Sequence, residues 1–277
     1  MCADGQSDGV LCFLGEIEIP SMPSAICMTY SREGFVVAAD GRARENGEVV
    51  SEKTKKVFQA GDLPLAYAMC GRTSFDTKTT KNAVDLLKEA PYGIIGLSKS
   101  RHADLSSYAV GFGMHLYTTL KKAQDAGDLE PLPTKQTDLY GRDYHFLHVF
   151  LAGYYLGQAD WKILSLRHRD QFLLEPKVHD IALRKKPYVY GSAKIEKLLF
   201  DDDDPALCLY RVKGFHESEH PSLSDGIEAL KSYIRACCDP EIAEFDPNIC
   251  AAIGGRIHVA TITPKEGFSW VCPPEQQ

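Results

Sequence analysis

Three charged side chains near the start of the chain are suited to catalytic chemistry. Asp40 and Arg42 follow the apolar run 35–39, and Lys56 stands at the start of a second apolar run. If both runs are strands, a carboxylate, a guanidinium and an ammonium lie near one end of a sheet. Charges this close together change the proton affinity of neighbouring groups. The pattern therefore predicts an active site at this sheet end.

Short apolar runs on either side of these residues predict the strands that hold them. Residues 25–30 and 35–39 are joined by a polar turn that ends in glycine, which is typical of a hairpin. Residues 56–59 and 63–70, with a Gly-Asp turn between them, predict a second hairpin. The charged residues would lie at the ends of these two hairpins.

The spacing of apolar residues then changes to that of helices. Residues 74–90 and 105–126 carry apolar side chains at the helical period, and Pro91 and Gly93 separate the two segments. Residues 127–143 are rich in Pro, Asp and Gly and predict a polar connection between a helix and a strand.

The rest of the chain predicts a second group of strands and helices. Strands are expected at 144–152, 161–166, 171–174, 187–190, 256–263 and 268–272, and helices at 193–200 and 225–237. Serines precede both helices as caps. Ser192 caps the first helix, and Ser222 or Ser224 caps the second.

The order of these elements predicts the fold class. Strands, two helices, strands, two helices and final strands would bury all their apolar faces as two antiparallel sheets stacked face to face, each covered by a helix pair. We therefore expect an α+β protein with a four-layer αββα sandwich. We find no internal repeat and no interdomain linker, so a single domain is expected.

Composition excludes some classes of partner. The net charge of −7 argues against nucleic-acid binding, which needs a basic surface. No apolar run approaches the length of a membrane span, so we expect no membrane partner. Nine cysteines are scattered without a Cys-x-x-Cys pair, which predicts reduced thiols in a cytoplasmic protein. His216 and His220 lack the paired spacing of a zinc site, so we expect no metal and no cofactor.

The charged residues also carry a family resemblance. Residues 35–42 together with 53–59 resemble the opening of proteasome subunits and related N-terminal-nucleophile hydrolases. Four later stretches resemble the same family in the same order: residues 63–71, 150–157 followed by 161–165, 190–200 and 253–263. The resemblance spans Ser24 to about Val271 and implies the four-layer αββα fold.

The resemblance implies a role for each charged residue. In this family the nucleophile is the first residue of the mature chain, and its freed α-amine acts as the base. The gapless register, in which Lys56 follows Asp40 by 16 positions (56 − 40), places the family's N-terminal threonine on Ser24. Asp40 would then hold Lys56, whose charge tunes the nucleophile, and Arg42 would support them from further out. Residues 1–23 would be an N-terminal extension or propeptide-like segment, and 24–277 one domain.

Two interpretations of this register stay open. Cys27 and Thr29 are other possible nucleophiles, but both fall inside the first predicted strand. In the first interpretation, Ser24 is freed and the protein hydrolyses a peptide or amide substrate. In the second, it is a noncatalytic proteasome-like subunit that assembles as a ring or homo-oligomer through helices 74–90 and 105–126.

Particular residues favour the second interpretation. Proline, at position 23, restricts the backbone before Ser24, where the family usually has a flexible glycine. Tyr190, Cys250 and Ile253 stand where the family has auxiliary hydrogen-bonding residues. We therefore expect a cluster of charged residues in which several of the family's usual partners are replaced.

Overall fold

The computed structural model describes residues 24–45, 48–77, 84–98, 100–129, 145–169, 173–180, 186–202 and 204–273. The predicted N-terminal extension, residues 1–23, and residues 130–144 of the predicted polar connection lie outside these ranges. None of the described helices is both long enough and apolar enough to cross a membrane.

Groups of strands alternate with groups of helices along the chain. The strands are β1 (Ile26–Ser31), β2 (Gly34–Ala39), β3 (Ala43–Glu45), β4 (Glu48–Ser51), β5 (Val57–Gln59), β6 (Leu65–Gly71), β7 (Ser74–Phe75), β8 (Val84–Asp85), β9 (His145–Tyr155), β10 (Gln158–Arg169), β11 (Leu173–Asp180), β12 (Tyr188–Tyr190), β13 (His258–Thr263) and β14 (Gly267–Cys272). The helices are α1 (Leu86–Ser98), α2 (Leu105–Asp125), α3 (Ala193–Phe200), a 3₁₀ helix (Pro205–Tyr210), α4 (Lys213–His216), α5 (Leu223–Cys238), α6 (Pro240–Ala243) and α7 (Pro247–Cys250).

Two five-stranded antiparallel sheets contain most of the strands. The first sheet has the order β12-β1-β2-β13-β14, and the second has the order β11-β10-β9-β6-β5. Both predicted N-terminal hairpins are confirmed, as β1–β2 in the first sheet and β5–β6 in the second. The small pairs β3–β4 and β7–β8 were not predicted.

Buried apolar residues form three clusters around these sheets. One cluster combines one face of the second sheet with α1 and α2, for example Tyr67 with Phe112. Another combines one face of the first sheet with α3 and α5. The third contains side chains from both sheets, such as Phe35 of β2 and Phe150 of β9. The protein is therefore an α+β fold built on antiparallel sheets.

The first helix differs from its prediction. A helix was expected over residues 74–90, but residues 74–75 and 84–85 form strands and α1 runs from Leu86 to Ser98. The Asp85 carboxylate accepts the N–H of Leu87 at 3.0 Å, which helps to start the helix at this point. Pro91, predicted to separate two helices, lies inside α1. The prediction was wrong because it treated this proline as a helix end.

Glycine at position 93 belongs to the same helix for a packing reason. A Cβ atom built on Gly93 would lie 2.5 Å from the ring of His115 in α2. A glycine here lets α1 and α2 approach closely. It therefore marks a helix contact, whereas the sequence had predicted a helix boundary.

The predicted serine caps are confirmed. The Ser192 hydroxyl accepts the N–H of Ile195 at the start of α3. Ser222, rather than Ser224, caps α5, where its hydroxyl accepts the N–H of Asp225 and the Asp225 carboxylate accepts the N–H of Ser222. Ser192 thereby fixes the turn that follows β12, next to the start of β1.

Candidate active site

Three residues that are distant in sequence meet where the two large sheets end. Ser24 lies just before β1, Asp40 just after β2, and Lys56 just before β5. Pairing of Ile26 with Ala39 brings the first two segments together. The Asp40 N–H also donates to the carbonyl of residue 25 at 3.1 Å, so the β1–β2 ladder positions them.

Lys56 contacts both of the other residues through its ammonium. Its Nζ lies 2.7 Å from Asp40 Oδ1 and 2.9 Å from Ser24 Oγ. All three residues are buried, with 0% of Asp40, 6% of Lys56 and 8% of Ser24 exposed. We call these three residues the Ser24 cluster. The structure thus brings together the residues that the sequence predicted for nucleophile, ammonium and carboxylate.

The Asp40 carboxylate accepts further bonds from the backbone. Oδ1 accepts the N–H of Ala25 at 2.9 Å, and Oδ2 accepts the N–H of Arg42 at 3.2 Å and of Gly254 at 3.1 Å. Burial raises the pKa of Asp40, while the ammonium of Lys56 and the N–H groups of Gly254 and Ala25 act to lower it. Because Oδ1 holds both Ala25 and Lys56, it fixes the backbone beside Ser24 and the ammonium that faces it.

Arg42 contacts the Ser24 cluster through its backbone N–H, whereas its side chain points towards Glu52 and the loop before Gly254. Its guanidinium forms an ion pair with Glu52 at 3.1 Å and donates to the carbonyls of Ala251 and Ile253, each at 3.2 Å. These carbonyls precede Gly254, whose N–H reaches Asp40. The predicted outer supporting role of Arg42 therefore takes the form of a clamp on this loop.

Close backbone contacts surround the clamp. The N–H groups of Gly41 and Arg42 donate to the carbonyl of Gly254 at 3.1 and 2.9 Å. A Cβ atom on Gly41 would lie 2.7 Å from the Glu52 carbonyl oxygen, and one on Gly255 would lie 2.4 Å from the same oxygen. Only glycine fits such spaces without a shift of the backbone.

Comparison of the chain with protein-family models and with curated proteins found no match in either set. The family resemblance therefore remains an expectation drawn from the residues themselves. Any function has to be inferred from the geometry of the Ser24 cluster.

The three positions at which the family's auxiliary residues are replaced make no hydrogen bond to Ser24 or Lys56 among the described contacts. Tyr190 pairs with Ile26 in the first sheet. The Ile253 side chain is buried, and its carbonyl is held by Arg42. The Cys250 thiol is hydrogen-bonded to Cys237, which lowers its pKa, so it is engaged away from Lys56.

Cys70 approaches the cluster from the second sheet. It is buried near the end of β6, and the neighbouring residue Met69 donates its N–H to the Lys56 carbonyl at 3.0 Å. Burial raises the pKa of the Cys70 thiol well above its usual value, with Lys56 lowering it and Asp40 raising it. Such a thiol is a poor nucleophile at neutral pH. Cys70 and Gly71 end β6, where they pair with His148 and Leu147 of β9.

The sequence did not identify His258 as a residue of this region. It is the first residue of β13, it is fully buried, and it pairs with Ala39, the residue before Asp40. Neither of its ring nitrogens has a hydrogen-bond partner. A histidine within an apolar strand that follows a Gly-Gly pair was the only signal in the sequence. Among the described residues, no group of three His, Cys, Asp or Glu side chains could hold a metal ion.

Proposed function

We propose that the protein is a proteasome-like hydrolase that cleaves a peptide or amide bond with Ser24 as an N-terminal nucleophile. The observation that carries the proposal is that one buried ammonium, that of Lys56, reaches both the Ser24 hydroxyl and the Asp40 carboxylate. The proposal requires removal of residues 1–23, which frees the α-amine of Ser24. This amine then serves as the base for its own side chain.

The proposed reaction has two steps. In the first, Ser24 Oγ attacks the substrate carbonyl carbon, its proton passes to the α-amine, and the C–N bond breaks as that proton is delivered to the leaving amine. In the second, water adds to the ester carbonyl carbon, the bond from that carbon to Ser24 Oγ breaks, and the water's proton passes through the α-amine to Oγ as the carboxylic acid leaves. The Lys56 ammonium favours loss of the hydroxyl proton because positive charge stabilises the developing anion. A backbone N–H at the end of β6, at Cys70 or Gly71, is the candidate donor to the carbonyl oxygen.

We also propose that the layers form the four-layer αββα sandwich of this hydrolase class. Support comes from the three buried clusters, one on each outer side between helices and a sheet and one shared by both sheets. The N-terminal nucleophile would then lie at one end of the space between the sheets. A cytoplasmic location is proposed with it, in line with the unbridged state of the cysteines that the structure describes.

Hydrolysis assays with matched variants test the proposal. The wild-type protein, Ser24→Ala and Lys56→Met are incubated with a library of fluorogenic peptide amides, and Ser100→Ala, which changes an exposed serine, is the control. We expect activity in wild type and Ser100→Ala, none above background in Ser24→Ala, and a loss of about a hundredfold or more in Lys56→Met. Activity that survives in Ser24→Ala would contradict the assignment of the nucleophile.

A noncatalytic assembly subunit is the second candidate, and a specific surface favours it. Large apolar side chains are exposed on the two helices that cover the second sheet: Tyr92 and Ile95 on α1, and Val110 and Met114 on α2. The two residues on each helix are three or four positions apart and so share one helix face, and contiguous exposed apolar patches are typical of protein interfaces. Under this proposal the Asp40 bonds serve to hold the sheet ends together. Light scattering would then detect a ring or homo-oligomer, and no amide would be hydrolysed.

A further inference from the structure

His258 faces the space between the two large sheets. Along β13, Val259 belongs to the cluster beneath α3 and α5, whereas Ala260 and Ile262 belong to the cluster shared by both sheets. Side chains alternate between the two faces of a strand, so His258 points to the same side as Ala260. Its imidazole is buried there with both nitrogens unpartnered. Buried polar groups without a partner are rare, and each calls for an explanation.

Two backbone contacts place this imidazole beside the Ser24 cluster. His258 pairs with Ala39, which directly precedes Asp40. Its strand also contacts β5, which begins directly after Lys56. The imidazole is thus next to the two strand ends from which Asp40 and Lys56 reach each other.

The charged groups around the imidazole are mostly positive. Arg256 precedes it on the same segment, while Lys55 and Lys56 approach from the start of β5. The Lys55 ammonium lies 4.9 Å from the centre of the Phe58 ring. Asp40, which follows the ladder partner Ala39, is already bound to Lys56. Burial and these three cations lower the pKa of His258 to about 4, which keeps the ring neutral near pH 7.

The Lys56 ammonium has a donor to spare. An ammonium carries three N–H groups. Asp40 and Ser24 accept two of them, and within the described ranges no other side chain or backbone oxygen accepts the third. A neutral imidazole has one nitrogen that accepts a hydrogen bond. The spare donor and this acceptor lie in the same buried region.

We propose that His258 is a positioning residue for Lys56, accepting the third N–H of its ammonium through one water molecule. This inference rests on the proposed function, because it assigns a residue that sets the direction in which Lys56 faces Ser24. Protonation of His258 removes the acceptor and adds a positive charge beside three others. Acid would therefore loosen Lys56 from the Ser24 cluster and slow the reaction of Ser24.

Two variants separate this role from simple packing. His258→Gln keeps a hydrogen-bond acceptor but does not titrate, and His258→Phe keeps the volume but has no acceptor. His220→Gln changes an exposed histidine and is the control. The rate of covalent labelling of Ser24 by a fluorophosphonate is measured by intact mass and peptide mapping between pH 4 and 8. A separate experiment records the ring ¹⁵N shifts of His258 in the unlabelled wild type.

The proposal predicts a distinct pH profile for each protein. Protonation of the Ser24 α-amine slows labelling of every protein below about pH 8, so His258 is tested by an additional fall as pH approaches 4. Wild type and His220→Gln should show this additional fall, whereas His258→Gln should lack it and label at near the wild-type rate at pH 7. His258→Phe should label about ten- to a hundredfold more slowly at every pH. A His258→Phe variant with the rate and acid limb of wild type would overturn the proposal.

The NMR measurement is independent of any activity. We expect the unprotonated ring nitrogen of His258 to show the shift of a hydrogen-bond acceptor from pH 8 down to about pH 5. A shift typical of a nitrogen without a donor overturns the positioning role even if Ser24 is reactive. If Ser24 is not labelled in wild type at any pH, the proposed function fails, and the ring shift alone then decides whether His258 is bonded as proposed.

Discussion

The Lys56 ammonium lies 2.9 Å from the Ser24 hydroxyl, although 32 residues separate the two in the chain. The same ammonium is 2.7 Å from Asp40, whose carboxylate also holds the backbone next to Ser24. One carboxylate therefore fixes both the position of the hydroxyl and the position of the charge that faces it. The distance between Lys56 and Ser24 is therefore determined by the position of Asp40 at the end of β2.

Replacement of Lys56 by methionine should destabilise the fold. It would leave the fully buried Asp40 carboxylate without its cation, which typically costs about 3–5 kcal/mol. The free energy of unfolding in urea measures this loss. Lys121→Met is the control, because Lys121 pairs with Asp125 on the exposed side of α2 and such a pair contributes only about 0.3–0.5 kcal/mol. Equal losses in the two variants would mean that the buried pair contributes no more to stability than the exposed pair.

Insertion of a methyl group at Gly41 should distort the loop that carries Asp40. The added carbon would lie 2.7 Å from one carbonyl oxygen and 2.8 Å from another, so Gly41→Ala should cost about 1–3 kcal/mol. Gly96→Ala is the matched control in α1, where a Cβ atom meets nothing within 4 Å and alanine should stabilise the helix by about 0.5–1 kcal/mol. Thermal unfolding compares the two variants. A Gly41→Ala protein as stable as wild type would show that the loop can move freely.

Replacement of Arg42 by lysine tests the clamp on the loop before Gly254. A lysine ammonium cannot bind Glu52 and two carbonyls in the planar geometry of a guanidinium. We expect a loss of about 1–3 kcal/mol in unfolding free energy and slower labelling of Ser24. Arg32→Lys changes an exposed arginine in the turn between β1 and β2 and should leave both quantities unchanged. Unchanged labelling in Arg42→Lys would show that the Arg42 contacts do not affect the reactivity of Ser24.

Acid should weaken the fold through His258. Its pKa is about 4 in the folded protein and about 6.5 when unfolded, so the unfolded chain binds the proton more readily. The stabilising contribution is complete above about pH 6.5 and is lost as pH falls towards 4. Urea unfolding of wild type and His258→Gln is measured at pH 7 and at pH 4.5. Between these two pH values, wild type should lose about 1–3 kcal/mol more unfolding free energy than His258→Gln. The same loss in both proteins would place the acid sensitivity in other groups.

The sequence predicted the residues of the Ser24 cluster because two kinds of information agreed. Apolar runs ending in charged residues indicated the strand ends, and the register fixed which serine, aspartate and lysine would meet. The contacts of Lys56 with Ser24 and Asp40 match that prediction. The activity of these residues stays a prediction, since a contact between side chains does not establish turnover.

Features that depend on tertiary packing were not predictable in the same way. Pro91 looked like a helix end, but α1 continues through it. The side chain of Arg42 points to backbone carbonyls, which carry no signal in the sequence. His258 looked like one polar residue in an apolar strand, and its relation to Lys56 depends on which strand of the other sheet lies opposite. Local patterns indicate elements well, whereas contacts between sheets require the fold.

Intact mass of the purified protein, together with N-terminal sequencing, tests the central proposal most directly. If Ser24 is an N-terminal nucleophile that cleaves its own chain after residue 23, wild type should yield a species that lacks residues 1–23 and begins at Ser24. Ser24→Ala should keep the segment, because it lacks the hydroxyl that makes the cut. Ser100→Ala should be processed like wild type. A wild-type preparation that retains residues 1–23 throughout, with no Ser24 start and no hydrolysis of any amide in the library, would contradict the proposed catalytic role.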